Sequence, residues 1–363
     1  MSVNPIRILQ IVSSPNPSSG VRTVVTNWHH NIDTSKVQFD YLYVGDEIAN
    51  QDDITCLGAK FYVLPNPYKH PVQFLRESYR FFKTHRYKTV HSHFTNLNFF
   101  FFPLAKVFGV KNIIQHSHLN KWSENKWSAI RNYMMLHAVW PLITHKMACS
   151  QAAGEVYFGK NFTVVNNGIN VDKFTFKPVV REAKRKELGL ENNFIIGHIG
   201  RLSVQKNHVF LLNVFEQIVR KEPLAKLVLV GNGQLEKQIK TLVTAKNLQD
   251  KVLFLSVRKD VAELYQAFDC FLFPSLYEGL GIVAVEAQAA GLPCLLADTI
   301  PPEAFVCNYK KLPLKSAEQW ANTLGEFVKD YKRKDTSALI KAAGFDIKGI
   351  ALHMQLFYEE LER

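Results

Sequence analysis

The chain has 363 residues, 47% hydrophobic and 21% charged, with a formal net charge of +12. That composition excludes a largely disordered chain, and the length favours two domains of roughly 150–200 residues each over a single core. Five scattered cysteines without a C-x-x-C pair exclude a zinc ribbon or disulfide framework and point to a reduced, cytoplasmic setting.

The first half begins with Ile6–Val12, a buried strand, since its apolar run contains Arg7 and is too short for a signal-peptide core. A turn-rich loop over 13–20 leads into a helix from about Val21. Short strands are predicted at 39–44 and 61–63. Residues 89–91 and 112–115 read as further strands, each running into His-Ser-His. The last strands of this half are read at 146–150 and 163–165, before Asn166-Asn167-Gly168. No segment reaches the ~20 uninterrupted apolar residues of a membrane-spanning helix.

The polar segment 172–193, which includes Pro178, reads as the connection between a domain 1–170 and a domain 171–344. The second domain has a regular strand-then-helix rhythm. Its apolar strands are 194–199, 227–230, 252–255, 270–273 and 293–297, alternating with helices over 209–219, 235–246, 261–268 and 282–290. Apolar strands alternating with helices specify a parallel sheet covered on both faces, an α/β doubly wound architecture. Ligands of such sheets bind beyond the carboxyl ends of the strands. The final stretch 345–363 carries Ile350, Met354, Phe357 and Leu361 near helical spacing and is expected to return to the first domain.

The sharpest motif is Glu278-Gly279-Leu280-Gly281, followed by a helix carrying Glu286. Two glycines admit close backbone approach, and a helix start adds N–H groups and a positive dipole end for phosphate. Glu286 could accept ribose hydroxyls, and Glu278 could reach a sugar hydroxyl. The same stretch also satisfies a dinucleotide fingerprint through Gly279, Gly281 and Ala284, but lies too late in its domain for one. A second cluster, Gly200-Arg201-Leu202 with Lys206, follows an apolar strand, where two cations could hold phosphate oxygens. An ordinary solvated loop is the commoner origin of such a pair.

Together these motifs resemble family 4 of the glycosyltransferases, of bacterial capsular, exopolysaccharide or lipopolysaccharide type. The signature there is Glu, seven residues, then Glu-Ala, matched by Glu278, Glu286 and Ala287. Val230-Gly231-Asn232-Gly233, Gln288-Ala289-Ala290-Gly291-Leu292-Pro293 and Asn166-Asn167-Gly168-Ile169 are also similar. The resemblance implies a GT-B fold, two Rossmann-like domains facing across a cleft. It implies transfer, with retention, of a hexose or N-acetylhexosamine from a nucleoside diphosphate sugar, with a UDP-sugar the expected donor, to a lipid-linked saccharide. It also implies that Arg201 and Lys206 hold the diphosphate, that Glu286 binds ribose and that Glu278 contacts the transferred sugar. The main chain of Gly279, Leu280 and Gly281 would lie against sugar and diphosphate. Asp-x-Asp occurs nowhere in the sequence, which argues for a metal-independent reaction without cofactor. Competing readings are a nucleotide-sugar epimerase of related fold and a sugar-nucleotide-binding partner subunit of another glycosyltransferase.

In the first domain, Pro17-Ser18-Ser19-Gly20 stands where the family often has two consecutive glycines, so Gly20 is the candidate for close approach. His118 matches the position of a family histidine near the reaction centre. His91 with His93, and His116 with His118, share a face if extended, which makes a metal site conceivable and a cleft lining or core role the better reading. From Lys69 to Lys160, thirteen Lys/Arg stand against three acids. With the aromatics of 99–102 and 121–127, this basic field suggests peripheral contact with anionic lipid at the inner face of the membrane. Stacking on single-stranded nucleic acid is the alternative, but no nucleic-acid module accompanies this field.

Overall fold

The computed structural model describes residues 4–15, 19–45, 51–123 and 125–363. The chain divides into two compact units: everything up to Gly168 together with Asp346–Arg363, and Ile169–Phe345. Among the described residues each unit holds one parallel sheet, of seven and six strands.

In the first unit the strands are β1 (Ile6–Val12), β2 (Val37–Val44), β3 (Phe61–Leu64), β4 (Thr89–Ser92), β5 (Asn112–Ser117), β6 (His145–Ala148) and β7 (Thr163–Val164). Their order is β3-β2-β1-β4-β5-β6-β7. The chain steps outward from β1 through β2 and β3, then returns to its other side at β4. That reversal puts the carboxyl ends of β1 and β4 side by side, with Gln10 level with His91. One face is covered by the helices Gly20–Asn31 and Ile347–Leu361. Val24, Val25 and Trp28 of the first, with Ala351, Met354 and Tyr358 of the second, share a core with Ile8, Phe39 and Tyr41. Each such large apolar side chain contributes about 1.5–3 kcal/mol on burial.

The second unit holds β8 (Phe194–Ile199), β9 (Ala225–Val230), β10 (Val252–Leu255), β11 (Cys270–Phe273), β12 (Cys294–Ala297) and β13 (Tyr309–Leu312). Their order β10-β9-β8-β11-β12-β13 reverses between β8 and β11. The loops leaving those two strands, 200–206 and 274–281, are therefore neighbours although about seventy positions apart in sequence.

Two readings need correction. Segment 172–193 is an integral part of the second unit, containing the helices Val171–Phe174 and Pro178–Leu188. Pro178 starts the longer helix, where its missing N–H costs nothing. The charges that mimic a linker are paired: Lys184 with Asp260 at 2.8 Å, Arg185 with Asp269 at 3.1 Å, and Arg181 with Asp269. The second correction is the edge strand β13. Its first three residues, Tyr309, Lys310 and Lys311, are exposed, so no apolar run announced it.

Candidate active site

At the switch point of the second sheet, Gly200 ends β8 and the chain turns back across the Gly231–Gly233 loop. Leu202 N–H donates to Asn232 O at 2.9 Å, and Leu235 N–H to Leu202 O at 3.0 Å. A Cβ at Gly231 would stand 2.3 Å from Gly200 O, and one at Gly233 2.3 Å from Leu202 O. These glycines are required by close backbone packing. A Cβ at Gly200 would meet Lys206 Cε at 2.9 Å, so the bare backbone there is what lets Lys206 lie flat against its own loop.

Lys206 crosses to the neighbouring loop. Its Nζ donates to Glu278 Oε1 at 2.6 Å and sits 4.6 Å from the centre of the Phe273 ring. Both charged side chains are mostly buried, 12% and 8% exposed, so each is stabilised chiefly by the other. Gln205 completes the clamp. Its Nε2 donates to Glu278 Oε2 at 3.1 Å and to Tyr277 O at 3.0 Å, and Leu276 N–H donates to Gln205 O at 2.8 Å. Arg201 is exposed, and its guanidinium makes no hydrogen bond or ion pair among the described residues.

Gly279, Leu280 and Gly281 are buried in the turn between Glu278 and the helix Ile282–Ala289. Gly281 caps that helix with φ +87°, a left-handed conformation that strains any other residue, and no side chain caps the N–H groups at its start. Glu286 lies one turn in and accepts a hydrogen bond from Tyr265 Oη at 3.0 Å. The residue is half-buried, and loss of hydration at the carboxyl pushes its pKa up to about 7, against the opposing pull of the Tyr265 hydroxyl and of Lys173.

In the first unit, Gly20 opens the helix Gly20–Asn31, and the Ser19 side chain before it makes no capping hydrogen bond among the described residues. Among the described residues, a Cβ on Gly20 would meet nothing within 4 Å. Pro17 and Ser18 of that loop lie outside the described residues. The four histidines at the ends of β4 and β5 form a two-by-two array. Along the strands the rings stack, His91 on His93 at 4.5 Å between centroids and His116 on His118 at 4.3 Å. Across the strands they meet edge to edge, His91 Nε2 with His116 Nδ1 at 3.2 Å and His93 Nδ1 with His118 Nε2 at 2.7 Å. Trp28 covers them from the helix above. Ligand atoms of His91, His93 and His116 lie within 4.8 Å of one another. These nitrogens nevertheless aim at each other in pairs, whereas a metal needs lone pairs converging on one point.

The model of the family Glycosyl transferases group 1 matches residues 180–343. EpsF, a putative glycosyltransferase of Bacillus subtilis (strain 168), is 32% identical over 312 residues, covering 83% of this chain and 81% of that protein. The chain belongs to the glycosyl transferases of group 1. This glycosyltransferase is also 28% identical over 242 residues to an Escherichia coli protein, UDP-Gal:alpha-D-GlcNAc-diphosphoundecaprenol alpha-1,3-galactosyltransferase. That match covers 63% of this chain and 62% of the relative. Anabaena Alr3699/HepE, crystallised with UDP and glucose, superposes with a TM-score of 0.82 at 18% identity, covering 98% of this chain and 99% of that one. The fold is thus GT-B, built of two Rossmann-like units, as the motifs implied.

The motif residues of the second unit are brought to one switch point, but two of their neighbours escaped sequence reading. Gln205 sat unremarked inside its motif, and Tyr265 looked like one more apolar helix position. Removing either member of the buried ion pair strands the other. Lys206→Ala is expected to destabilise the second unit by about 3–5 kcal/mol, and Lys206→Met with Glu278→Gln by clearly less. Denaturant titrations of the single and double variants measure this, and additive effects would contradict the pairing.

Proposed function

We propose that this glycosyltransferase moves a hexose or N-acetylhexosamine from a UDP-sugar to a lipid-linked saccharide, with retention of anomeric configuration and without a metal. The observation that carries the reading is the Lys206–Glu278 pair at the switch point, beside the exposed and unengaged Arg201.

The ion pair sets Lys206 and Glu278 for two different ligand groups. Lys206 Nζ spends one donor on Glu278 and keeps others for diphosphate oxygens, while Arg201 supplies a second, planar set. The uncapped N–H groups that begin the helix Ile282–Ala289 add a fixed positive end. As the glycosidic C–O bond breaks, charge grows on the departing diphosphate, and donors already in place stabilise it without reorganising. Glu278, oriented by Lys206 and Gln205, accepts a hydroxyl of the transferred sugar. Glu286 accepts the ribose hydroxyls. Gly279, Leu280 and Gly281 offer main chain to sugar and diphosphate, and Gly20 leaves open backbone at a helix start of the first unit. His118 hydrogen bonds to a sugar hydroxyl, and the leaving phosphate takes the acceptor proton on the same face.

A lipid-linked acceptor is supported by the Escherichia coli relative, a galactosyltransferase named for a diphosphoundecaprenol-linked acceptor, and by the surface of the first unit. Among the described residues, no helix is long and apolar enough to cross a membrane. The helix Lys126–Ala138 instead exposes Trp127, Ile130, Tyr133 and Met134 beside Lys126 and Arg131, a basic and aromatic face suited to anionic lipid. We place the enzyme in the cytoplasm, at the inner leaflet, working on a sugar-bearing lipid there.

Release of UDP from a panel of donors, with extracted lipid-linked acceptors and a chelator present, is the direct assay. Turnover should persist in chelator and fall at least ~100-fold in Glu278→Ala. Strict dependence on added divalent metal contradicts the mechanism, and turnover of donor without acceptor would point to epimerisation.

The raised pKa of Glu286 gives a second prediction. Near pH 7 its carboxyl is about half protonated before a ligand binds, and ribose hydroxyls select the ionised form. UDP binding should therefore release about half a proton at pH 7, and affinity should fall by up to ~10-fold per unit as pH drops below that value. Calorimetry in buffers of different ionisation enthalpy reads the proton count. Proton uptake, or binding indifferent to pH between 6 and 8, would remove Glu286 from the ribose site.

A further inference from the structure

The histidine array contains more order than a packed polar core needs. Gln10 of β1 touches both of its branches. Its Oε1 accepts from His93 Nε2 at 3.0 Å, and its Nε2 donates to Tyr358 Oη at 3.1 Å. Tyr358 Oη in turn lies 2.6 Å from His91 Nδ1. Burial pushes the pKa of His91, His93 and His116 well down and that of His118 to about 3, so every ring is neutral and carries one N–H.

With one proton per ring, the hydrogen bonds can be followed outward from Gln10. A carbonyl oxygen only accepts, so His93 carries its proton on Nε2 and presents a bare Nδ1. The contact at 2.7 Å then requires His118 to donate from Nε2, which leaves its Nδ1 unprotonated. On the other branch Tyr358 accepts from Gln10 and donates to His91 Nδ1. His91 therefore donates from Nε2 to His116 Nδ1, and His116 ends the branch with Nε2–H. The two branch ends, His118 Nδ1 and His116 Nε2, are buried and have no hydrogen-bond partner among the described residues. One amide, through its two ends, sets an acceptor at the first and a donor at the second. Turning that amide over would reverse both.

We infer that Gln10 and His93 are positioning residues that hold His118 in its Nε2–H form, so that the bare Nδ1 accepts a hydrogen bond from a sugar hydroxyl. The hydroxyl, on donor or acceptor, rests on the function proposed above; the proton order does not. In this arrangement His118 is a directional acceptor and a poor proton acceptor, because a ring so shielded does not readily take a charge. A buried acceptor left unpaired destabilises the free protein, and a bound hydroxyl removes that penalty.

The test is nitrogen NMR of the full chain labelled with 15N-histidine, which separates protonated from bare ring nitrogens. Wild-type protein should show His93 and His118 protonated at Nε2 only. A proton on His118 Nδ1 would overturn the inference whatever the activity, whereas the expected pattern in a chain without turnover would overturn only the proposed function. Gln10→Leu removes the reference oxygen, so the His118 signals should show both forms and kcat/KM should fall by about 10-fold. An unchanged His118 pattern in that variant would contradict the relay. Gln10→Glu offers only acceptors: His118 should keep its form while His91 and His116 reverse, a signature that a merely structural role for Gln10 does not produce. UDP-glucose and methyl glucoside then serve as probes. A shift of the His118 Nδ1 signal with UDP-glucose assigns the hydroxyl to the donor, and a shift only with methyl glucoside assigns it to the acceptor. No shift with either overturns the assigned partner.

Discussion

A buried lysine and a buried glutamate, 2.6 Å apart on loops that leave adjacent strands, constrain much of the second unit's site. Neither charge tolerates burial alone, so the 200–206 and 274–281 loops must stay in register for the unit to be stable. That requirement explains the bare backbone at Gly200, which makes room for the Lys206 stem. It also explains Gln205, which pins the second carboxylate oxygen and the preceding carbonyl at once. The same pair has the composition a glycosyl donor needs, a cation for diphosphate and an anion for sugar hydroxyls. Under the proposed function, stability and chemistry are demands on one contact.

The first unit solves a different problem with neutral groups. Its switch point is lined by histidines that burial keeps uncharged, ordered by hydrogen bonds rather than by ion pairs. Trp28 and Tyr358, from two helices far apart in the chain, close over the array and exclude water. The local cost is two ring nitrogens, His118 Nδ1 and His116 Nε2, that have no partner among the described residues.

Much of this was legible in the sequence where one physical signal dominated. Phe194–Ile199 and Cys270–Phe273 were found to the residue, because strands buried on both faces must be continuously apolar. Glu278, Gly281 and Glu286 were visible through spacing, since a tight turn into a helix needs glycine at a fixed place. Legibility failed where tertiary pairing decides. Lys184 and Arg185 looked like a solvated linker until Asp260 and Asp269 closed on them. The exposed start of β13 erased its alternation. Gln10 was one polar residue in an apolar strand, and its meaning depends on His93, 83 positions away. No local pattern encodes that distance.

The central claim is that fixed cations of this chain, with no metal, hold a donor diphosphate at the second switch point. Equilibrium binding of UDP, UMP and uridine in the presence of chelator tests it most directly. Affinity should fall from UDP to UMP to uridine, and Arg201→Ala should weaken UDP roughly 10–100-fold while leaving uridine nearly unchanged. Equal affinity for UDP and uridine, or UDP binding that requires added divalent metal, would contradict the account.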